Sequence, residues 1–548
     1  MKAARCLGAF ALLCVCGMGK SDPSLSDWAG ARPVVARHAM VVTEQHLASE
    51  VGREVLERGG NAVDAAVAVG YALAVVDPCC GNIGGGGFML VRMHDGRERF
   101  IDFREEAPLR ATRDMYLDAR GNVEPMKSRK GWLAVGVPGT VLGLETARRE
   151  YGTMSRAALM APAIRLARDG FRLEPGEMTG PLPRDGDVLR QPQLATTLQS
   201  IAREGPRAFY QGSIARSVAA ASSAAGGILS LPDFAHYAVV ESVPLHCRYH
   251  GYTLTVAPPP SSGGVTLCEI LGILAPYPLA AWPWHGVRET HVIVEADRRA
   301  YADRNAYLGD PAFVRNPVAA LLAPPYLARL RAAIDPTRAT PSSDVHPGLG
   351  PILREHVETT HYSIVDAAGN AVAVMYTLND WFGAGVVVDG FALNDEMDDF
   401  TAKPGTPNMF GLVQGERNDI APGKRPLSSM APTIVTRNGQ LVMVTGSPGG
   451  SRIITIVLET LLDVLEHRMN VAQAVDAPRI HMQWLPDEIQ YEPGALDGAT
   501  AGALRANGYA LREIASWGSA QAIVIDPRTG AREGGSDRRR PSGAALGY

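Results

Sequence analysis

The segment NAVDAAVAVGYALAVVDP, residues 61–78, constrains the fold more than any other part of the chain. It predicts a helix with Asn61 as N-cap, Asp64 three residues on, and an end before Pro78. The helix would be apolar on every side, and at about 15 residues it is too short to span a membrane. We therefore expect a helix buried between other layers of the protein. A second helix is predicted just before it, over residues 47–60.

The glycine-rich segment that follows, GNIGGGGFMLV at residues 81–91, raises the question of a phosphate-binding loop. It lacks the G-x-x-x-x-G-K-[ST] pattern that such loops require. Glycines also allow backbones to approach closely, and we favour that interpretation, with the segment packed under the apolar helix.

Size and charge exclude some classes of function. The chain has 548 residues, 46% of them hydrophobic, and no long linker rich in Ser, Gly and Pro, so one large compact unit is as plausible as several domains. Its formal net charge is -4, and no basic run with interleaved aromatic residues occurs. Nucleic acid is therefore not an expected partner.

The N-terminus has the pattern of a secretory signal. Lys2 and Arg5 precede an apolar run that ends near Met18, which is too short for a stable membrane span. We predict a signal peptide over residues 1–19 and export to a periplasm or the outside. A lipoprotein anchored at Cys14 or Cys16 is the less favoured alternative.

The remaining cysteines do not indicate a metal site. Cys79 and Cys80 are neighbours that we do not expect to bridge each other, and a Cys247–Cys268 disulfide is permitted by export but not favoured. No zinc motif occurs. We predict no metal and no cofactor.

The texture of the chain changes near residue 359, from helical stretches with Pro/Gly breaks to short strand-like segments. The segment from His361 to Asn379 predicts a hairpin whose loop has Gly369 in the left-handed region. Facing residues then have numbers that sum to 736, which places Thr359 opposite Thr377, with Asn379 two residues further on the same face. Such a pair is common in ordinary sheets, but it also suits a nucleophile held by a second hydroxyl.

A threonine hydroxyl needs a base, and one known solution is the free α-amine of an N-terminal threonine. That amine has an ordinary pKa near 7.7 to 8.0, so at neutral pH it accepts a proton readily. Thr359 is internal, so the chain would have to be cut before it.

Several long motifs in order and spacing, among them ETTHYSIVD, LNDEMDDF, KRPLSSMAPTIV and TGSPGGSRIIT, resemble the γ-glutamyltranspeptidase family. The similarity continues upstream through NAVDAAVAV, GNIGGGGFMLV, IDFREEAP, PPPSSGG and YADRNAYLGDP. The resemblance implies an α/β (α+β) fold, a four-layer αββα sandwich of the N-terminal nucleophile hydrolase type. It also implies self-cleavage between Glu358 and Thr359, giving a large subunit (20–358) and a small subunit (359–548) intertwined in one domain.

The resemblance further implies the residues of the site. Thr359 would attack γ-glutamyl amides such as glutathione, and water, an amino acid or a dipeptide would take the γ-glutamyl group. Arg104 would bind the substrate α-carboxylate, although a salt bridge to Glu105 or Glu106 is its ordinary alternative. The other implied roles are Thr377 orienting the nucleophile, Ser428 and Ser429 completing the carboxylate site, Asn379, Glu396 and Asp399 accepting the α-ammonium, and Gly449 and Gly450 forming the oxyanion hole.

Three features depart from the family pattern. Phe410 stands in the predicted lid (403–413) where many bacterial members have tyrosine, Asp395 replaces an asparagine, and Asp380-Trp381 is unusual beyond Asn379. These departures leave acceptor preference open. A glutaryl or cephalosporin acylase, a poly-γ-glutamate depolymerase or transferase, and a non-catalytic binding protein are the alternatives. Retention of Glu396 and Asp399 argues against the acylase, because a glutaryl group has no α-ammonium.

Overall fold

The computed structural model of the chain describes residue 25 and residues 27–174, 186–347, 359–412 and 414–548. The predicted signal peptide, residues 1–19, and Glu358 of the predicted cleavage site lie outside the described residues. Among the helices of the described part, none is long and apolar enough to cross a bilayer.

The strands, in chain order, are β1 (Val34–Ala36), β2 (Met40–Thr43), β3 (Gly86–Arg92), β4 (Glu98–Phe103), β5 (Phe171–Arg172), β6 (Val188–Leu189), β7 (Val240–Ser242), β8 (Leu245–Tyr249), β9 (Tyr252–Val256), β10 (Thr360–Val365), β11 (Ala371–Thr377), β12 (Val386–Val388), β13 (Phe391–Leu393), β14 (Thr433–Arg437), β15 (Gln440–Gly446), β16 (Ile480–His481), β17 (Ile489–Tyr491), β18 (Leu511–Glu513), β19 (Gln521–Ile525), β20 (Arg532–Ser536) and β21 (Ala544–Gly547).

The α-helices are α1 (His46–Glu57), α2 (Ala62–Val76), α3 (Pro125–Arg129), α4 (Thr140–Tyr151), α5 (Arg156–Asp169), α6 (Pro192–Glu204), α7 (Pro206–Tyr210), α8 (Ser213–Ala224), α9 (Leu231–His236), α10 (Gly263–Leu274), α11 (Val287–Tyr307), α12 (Val318–Leu321), α13 (Pro324–Ala332), α14 (Ile453–Leu465), α15 (Val471–Asp476) and α16 (Gly498–Ala506).

Two antiparallel sheets form the centre of the molecule. The first sheet has the order β21-β2-β10-β11-β3-β4-β7, and the second has the order β1-β20-β19-β15-β14-β9-β8. Helices do concentrate before residue 348, as the texture of the sequence predicts. The first part contributes strands as well: β1–β4 and β7–β9 precede residue 359, and four of them, β1, β2, β3 and β9, pair directly with strands that follow it.

The sheets and helices form four layers. One face of the first sheet carries α1, α2 and α4, and its other face packs on the second sheet through β10 and β11 against β15 and β19. The outer face of the second sheet is covered by α10, α14 and α15. This arrangement confirms the predicted αββα sandwich, in which each sheet face buries its apolar side chains against a neighbouring layer.

Helix α2 is buried along its whole length, as predicted. The Asn61 side chain accepts hydrogen bonds from the amides of Val63 and Asp64, and the Asp64 carboxylate accepts one from the Asn61 amide, which completes a capping box. The glycines after the helix pack mainly against neighbouring strands. A Cβ at Gly85 would lie 1.9 Å from the carbonyl oxygen of Thr377 on β11.

Both cysteine pairs are bridged. Cys247 on β8 joins Cys268 on α10 with a Cα–Cα distance of 5.8 Å, within the range of ordinary disulfides. Cys79 and Cys80 are joined as well, so the prediction that these neighbours would not bridge is wrong. They lie in the turn that follows α2, and the turn brings the two sulfur atoms together.

Candidate active site

The predicted hairpin is present in its predicted register. Thr360 faces Tyr376 and Val365 faces Ala371, so facing numbers sum to 736. Gly369 has a φ of 88°, in the left-handed region that its turn requires. Thr359 directly precedes β10, and its hydroxyl donates to the hydroxyl of Thr377 at 3.4 Å. The Thr377 oxygen also accepts the backbone N–H of Asn379 at 2.8 Å.

Almost all of the predicted site residues line one small cavity, although hundreds of residues separate some of them. These residues are Arg104, Thr359, Thr377, Asn379, Glu396, Asp399, Phe410, Ser428, Ser429 and Gly450. The cavity is also lined by Leu412 of the predicted lid and by residues that sequence reasoning missed, namely Arg304, Leu427, Met430 and Ile453. The segment YADRNAYLGDP that holds Arg304 predicts a helix end and a turn, and no chemical role was assigned to it.

Arg104 forms ion pairs across the cavity. It is fully buried and donates to the carboxylates of Glu396 and Asp399, while Glu105 lies 3.5 Å away. Glu106, the other alternative partner from the sequence, pairs instead with Arg425 at 3.0 Å. Burial by itself would lower the pKa of Arg104, but Glu396 and Asp399 hold it above its usual value. The guanidinium is therefore charged at every working pH.

The two acidic partners are strongly perturbed. Burial raises the pKa of Glu396 well above its usual value and also raises that of Asp399, although the charge of Arg104 opposes both effects. A cavity in which the Arg104 guanidinium lies beside two carboxyl groups is complementary to a ligand that carries a carboxylate and an ammonium on the same carbon. Such a ligand would replace internal ion pairs with pairs of its own.

The serine side of the cavity is held by hydrogen bonds. Ser428 accepts the N–H of Met430 on its hydroxyl at 3.1 Å, and the Ser429 hydroxyl accepts from Arg304 at 2.8 Å. Both serines are buried. Their hydroxyls line the cavity beside Arg104.

Two glycines lie between β15 and α14, close to Thr359. Gly449 and Gly450 have φ values of 146° and 51°, and Gly450 lines the cavity whereas Gly449 does not. Within the described residues neither backbone N–H donates a hydrogen bond, and that of Gly450, which lines the cavity, can serve an oxyanion. Ser447 is fully buried and donates to the carbonyl of Pro448, an arrangement that does not suit a nucleophile.

Two residues of the predicted lid, Phe410 and Leu412, line the cavity. Phe410 is buried and lines it, and the Asn408 side chain accepts the N–H groups of Phe410 and Leu412 at 3.0 and 3.1 Å. The Met409 N–H donates to Asp398 at 2.7 Å, which ties the lid to the acidic segment. Burial raises the pKa of Asp398 to about 6.

The Asp395 departure has a physical explanation. Its Oδ1 accepts the N–H of Asp380 at 2.8 Å, and burial raises its pKa well above the usual value. A neutral carboxyl group has nearly the shape and the acceptor of an asparagine amide. Asp380 itself pairs with Lys130 at 3.1 Å, at the edge of the site.

Among the described residues, the histidine nearest to Thr359 in the chain, His361, is not suited to serve as the base. His361 is fully buried, and burial lowers its pKa to about 3, so it stays neutral and bonded to Ser363 at 2.9 Å. The α-amine that a cut before Thr359 would create has an ordinary pKa near 7.7 to 8.0 and would belong to the nucleophile's own residue.

Comparisons with known proteins identify the family and the fold. A family model described as Gamma-glutamyltranspeptidase matches residues 48–179 and 177–547. The glutathione hydrolase proenzyme of Pseudomonas sp. (strain A14) is 50% identical over 95% of this chain and 96% of its own length. The glutathione hydrolase proenzyme of Escherichia coli (strain K12) is 45% identical, over 94% and 93%. The crystal structure of a cephalosporin acylase from Bacillus halodurans superposes with a TM-score of 0.84 at 28% identity, over 94% of this chain and 97% of that one.

Proposed function

This chain belongs to the gamma-glutamyltranspeptidase family, and from that premise we propose that it is a glutathione hydrolase and γ-glutamyl transferase activated by self-cleavage. The observation that carries the proposal is the placement of Arg104, Glu396 and Asp399 in the same cavity as the Thr359–Thr377 hydroxyl pair. The first three recognise an α-amino acid group, and the last two supply a nucleophile.

Activation consists of one internal acyl shift. The Thr359 hydroxyl attacks the carbonyl of Glu358, the peptide C–N bond breaks, and the acyl group passes from nitrogen to oxygen. Water then hydrolyses the ester, which leaves a carboxylate on Glu358 and a free amine on Thr359. The resulting subunits, 20–358 and 359–548, would stay together because both sheets contain strands from each.

Catalysis repeats the same chemistry on the substrate. The α-amine of Thr359 takes the hydroxyl proton, and the oxygen attacks the γ-carbonyl of the glutamyl group. The N–H groups of Gly449 and Gly450 stabilise the negative oxygen of the tetrahedral intermediate. The leaving amine takes the proton and departs, and water or an acceptor amine then resolves the γ-glutamyl ester. Thr377 holds the nucleophile through the 3.4 Å contact.

The charges of the site suit the substrate. Arg104, with Ser428 and Ser429, would bind the α-carboxylate, while Glu396, Asp399 and Asn379 would bind the α-ammonium. Each Arg104 pair with an acidic side chain is then exchanged for a pair with the ligand. A glutaryl group lacks the ammonium and would leave two buried carboxyl groups without a cation, which argues against the acylase alternative.

The pattern of the N-terminal sequence supports a proposal for the cellular location. The signal-like residues 1–19 support export, and we propose that the enzyme acts in a periplasm or outside the cell on glutathione and other small γ-glutamyl compounds.

The test is a comparison of matched substrates. Purified protein is incubated with glutathione, and released glutamate and cysteinylglycine are quantified, with the Thr359→Ala variant as control. Initial rates are then compared for γ-glutamyl-p-nitroanilide and glutaryl-p-nitroanilide. The proposal expects release from glutathione, preference for the γ-glutamyl anilide and no release by the variant. Preference for the glutaryl anilide would identify an acylase instead.

A further inference from the structure

Arg304 is a second buried arginine in the cavity, with no role in the steps above. It lies in the last turn of α11, is 1% exposed and lines the cavity together with Arg104. A buried arginine retains its charge, so its surroundings must supply acceptors for its N–H groups. Three of these acceptors show what it does.

The first acceptor is the Ser429 hydroxyl, which takes an N–H of Arg304 Nη2 at 2.8 Å. A guanidinium donates and cannot accept, so the Ser429 proton must point elsewhere. Among the described residues no acceptor takes that proton, and Ser429 lines the cavity. The hydroxyl is therefore held as a donor toward a ligand, and the neighbouring positive charge strengthens it as a donor.

The second acceptor is Ser262, which takes the N–H of Arg304 Nε at 2.8 Å. The Ser262 hydroxyl donates to the carbonyl of Ser428 at 2.6 Å, and its amide donates to the same carbonyl at 2.7 Å. Arg304 thus fixes both the side chain of Ser429 and the backbone just before it. The third acceptor, the side chain of Asn305 at 2.8 Å, holds the guanidinium itself in place.

We propose that Arg304 is a positioning residue for the substrate α-carboxylate, acting through Ser429 and Ser262 and not by direct contact. Arg104 supplies the contacting charge, and Arg304 orients the hydroxyl that completes the carboxylate site. The inference rests on the proposed function in that it assigns Ser429 to the carboxylate of the acyl donor. The charge of Arg304 also opposes the burial that raises the pKa of Asp399, which links the two halves of the site.

A double-mutant cycle tests this role. The variants are Arg304→Met, Ser429→Ala and the pair of them, assayed for kcat and KM with γ-glutamyl-p-nitroanilide. A lost hydrogen bond to a charged group corresponds to about a tenfold change or more. We expect each single variant to raise KM roughly tenfold with kcat changed less than about threefold, and the double variant to match the singles, because both break the same contact.

Arg304→Lys is the control for misfolding, because it keeps the buried positive charge. Its single ammonium group replaces the three guanidinium nitrogens that bond Ser262, Asn305 and Ser429. Its KM should lie between those of wild type and Arg304→Met. The processed fraction is measured for every variant, since a merely structural role would reduce processing and kcat while leaving the KM of the processed enzyme unchanged. That pattern, or single effects that multiply to about a hundredfold in the double variant, would overturn the proposal.

The cycle also separates this inference from the proposed function. A glutaryl group keeps the carboxylate and lacks only the ammonium. If wild type prefers glutaryl-p-nitroanilide, the proposed function fails, and the same cycle run on that substrate must still give the KM pattern above. If KM stays unchanged in Arg304→Met with either substrate, the role of Arg304 fails while the function stands.

Discussion

The hydroxyl of Thr377 offers the sharpest test of the active-site geometry. It receives the Thr359 hydroxyl at 3.4 Å and the Asn379 N–H at 2.8 Å, and all three residues are buried. Thr377→Val keeps the shape and the strand propensity of the side chain but removes the oxygen. One contact to the nucleophile, at about 0.5–1.5 kcal/mol, and one orphaned backbone donor, at about 1–3 kcal/mol, are then lost.

Together these losses amount to about 1.5–4.5 kcal/mol, or roughly 10- to 2000-fold in kcat/KM. The assay is hydrolysis of γ-glutamyl-p-nitroanilide by the processed fraction of Thr377→Val. Thr377→Ser is the matched control, since it keeps the oxygen and should stay within about tenfold of wild type. A Thr377→Val enzyme within about threefold of wild type would refute the assigned geometry, and so would equal losses in the two variants.

Three further predictions concern stability. Gly85→Ala should prevent folding, because its Cβ would lie 1.9 Å from a carbonyl oxygen of β11. Gly502→Ala on α16 is the control and should fold normally, because no atom lies within 4 Å of the added Cβ. The yield of soluble protein distinguishes the two variants, and equal yields would contradict the packing at Gly85. The pKa of His361 is about 3 in the folded state, against an ordinary value of 6.5 in the unfolded state. Between these two pH values only the unfolded state takes up the proton, so the free energy of unfolding decreases as the pH falls below 6.5. Lowering the pH from 7 to 5 should therefore cost the His361→Gln variant about 2 kcal/mol less unfolding free energy than it costs the wild-type residue. Urea titration measures this in uncleaved Thr359→Ala protein. An unchanged loss would mean that His361 is not held neutral. Replacing Cys247 and Cys268 by serine should lower the free energy of unfolding by about 3 kcal/mol, because the disulfide closes a loop between residues that are 21 positions apart. A change below about 0.5 kcal/mol would indicate that the bridge does not constrain the unfolded chain.

Local features of the site could be predicted from the sequence because short-range rules determine them. Gly369 fixes the turn, the turn fixes the register, and the register places Thr359 beside Thr377. The capping box of α2 was likewise predictable, since Asn61 and Asp64 are three residues apart and satisfy each other.

The long-range features were not predictable in this way. From the sequence, the ordinary alternative partners of Arg104 are its neighbours Glu105 and Glu106. It does pair with Glu105, at 3.5 Å, but its nearer partner is Glu396, 292 residues away, because the fold buries both in one cavity. Arg304 was missed for the same reason. Its acceptor Ser429 lies 125 residues further along the chain, and no spacing rule connects a helix end to that turn.

The sharing of strands between the two parts of the chain was expected only from the resemblance, which implies one intertwined domain, and not from composition. Composition reports which local conformation a segment prefers, and it does not report which partner completes a sheet. Strand β10 lies between β2, which precedes the predicted cut, and β11, which follows it. The nucleophile directly precedes β10, so strands from both sides of the cut hold it in place.

The central claim is that Thr359 becomes a chain terminus and then acts as the nucleophile. Intact mass spectrometry of the purified protein, with sequencing of the N-terminus of each fragment, tests it most directly. We predict a fragment from Thr359 to Tyr548 together with a fragment that ends at Glu358, and a single uncut chain for Thr359→Ala. A wild-type chain that remains uncut and still hydrolyses γ-glutamyl substrates would contradict the account.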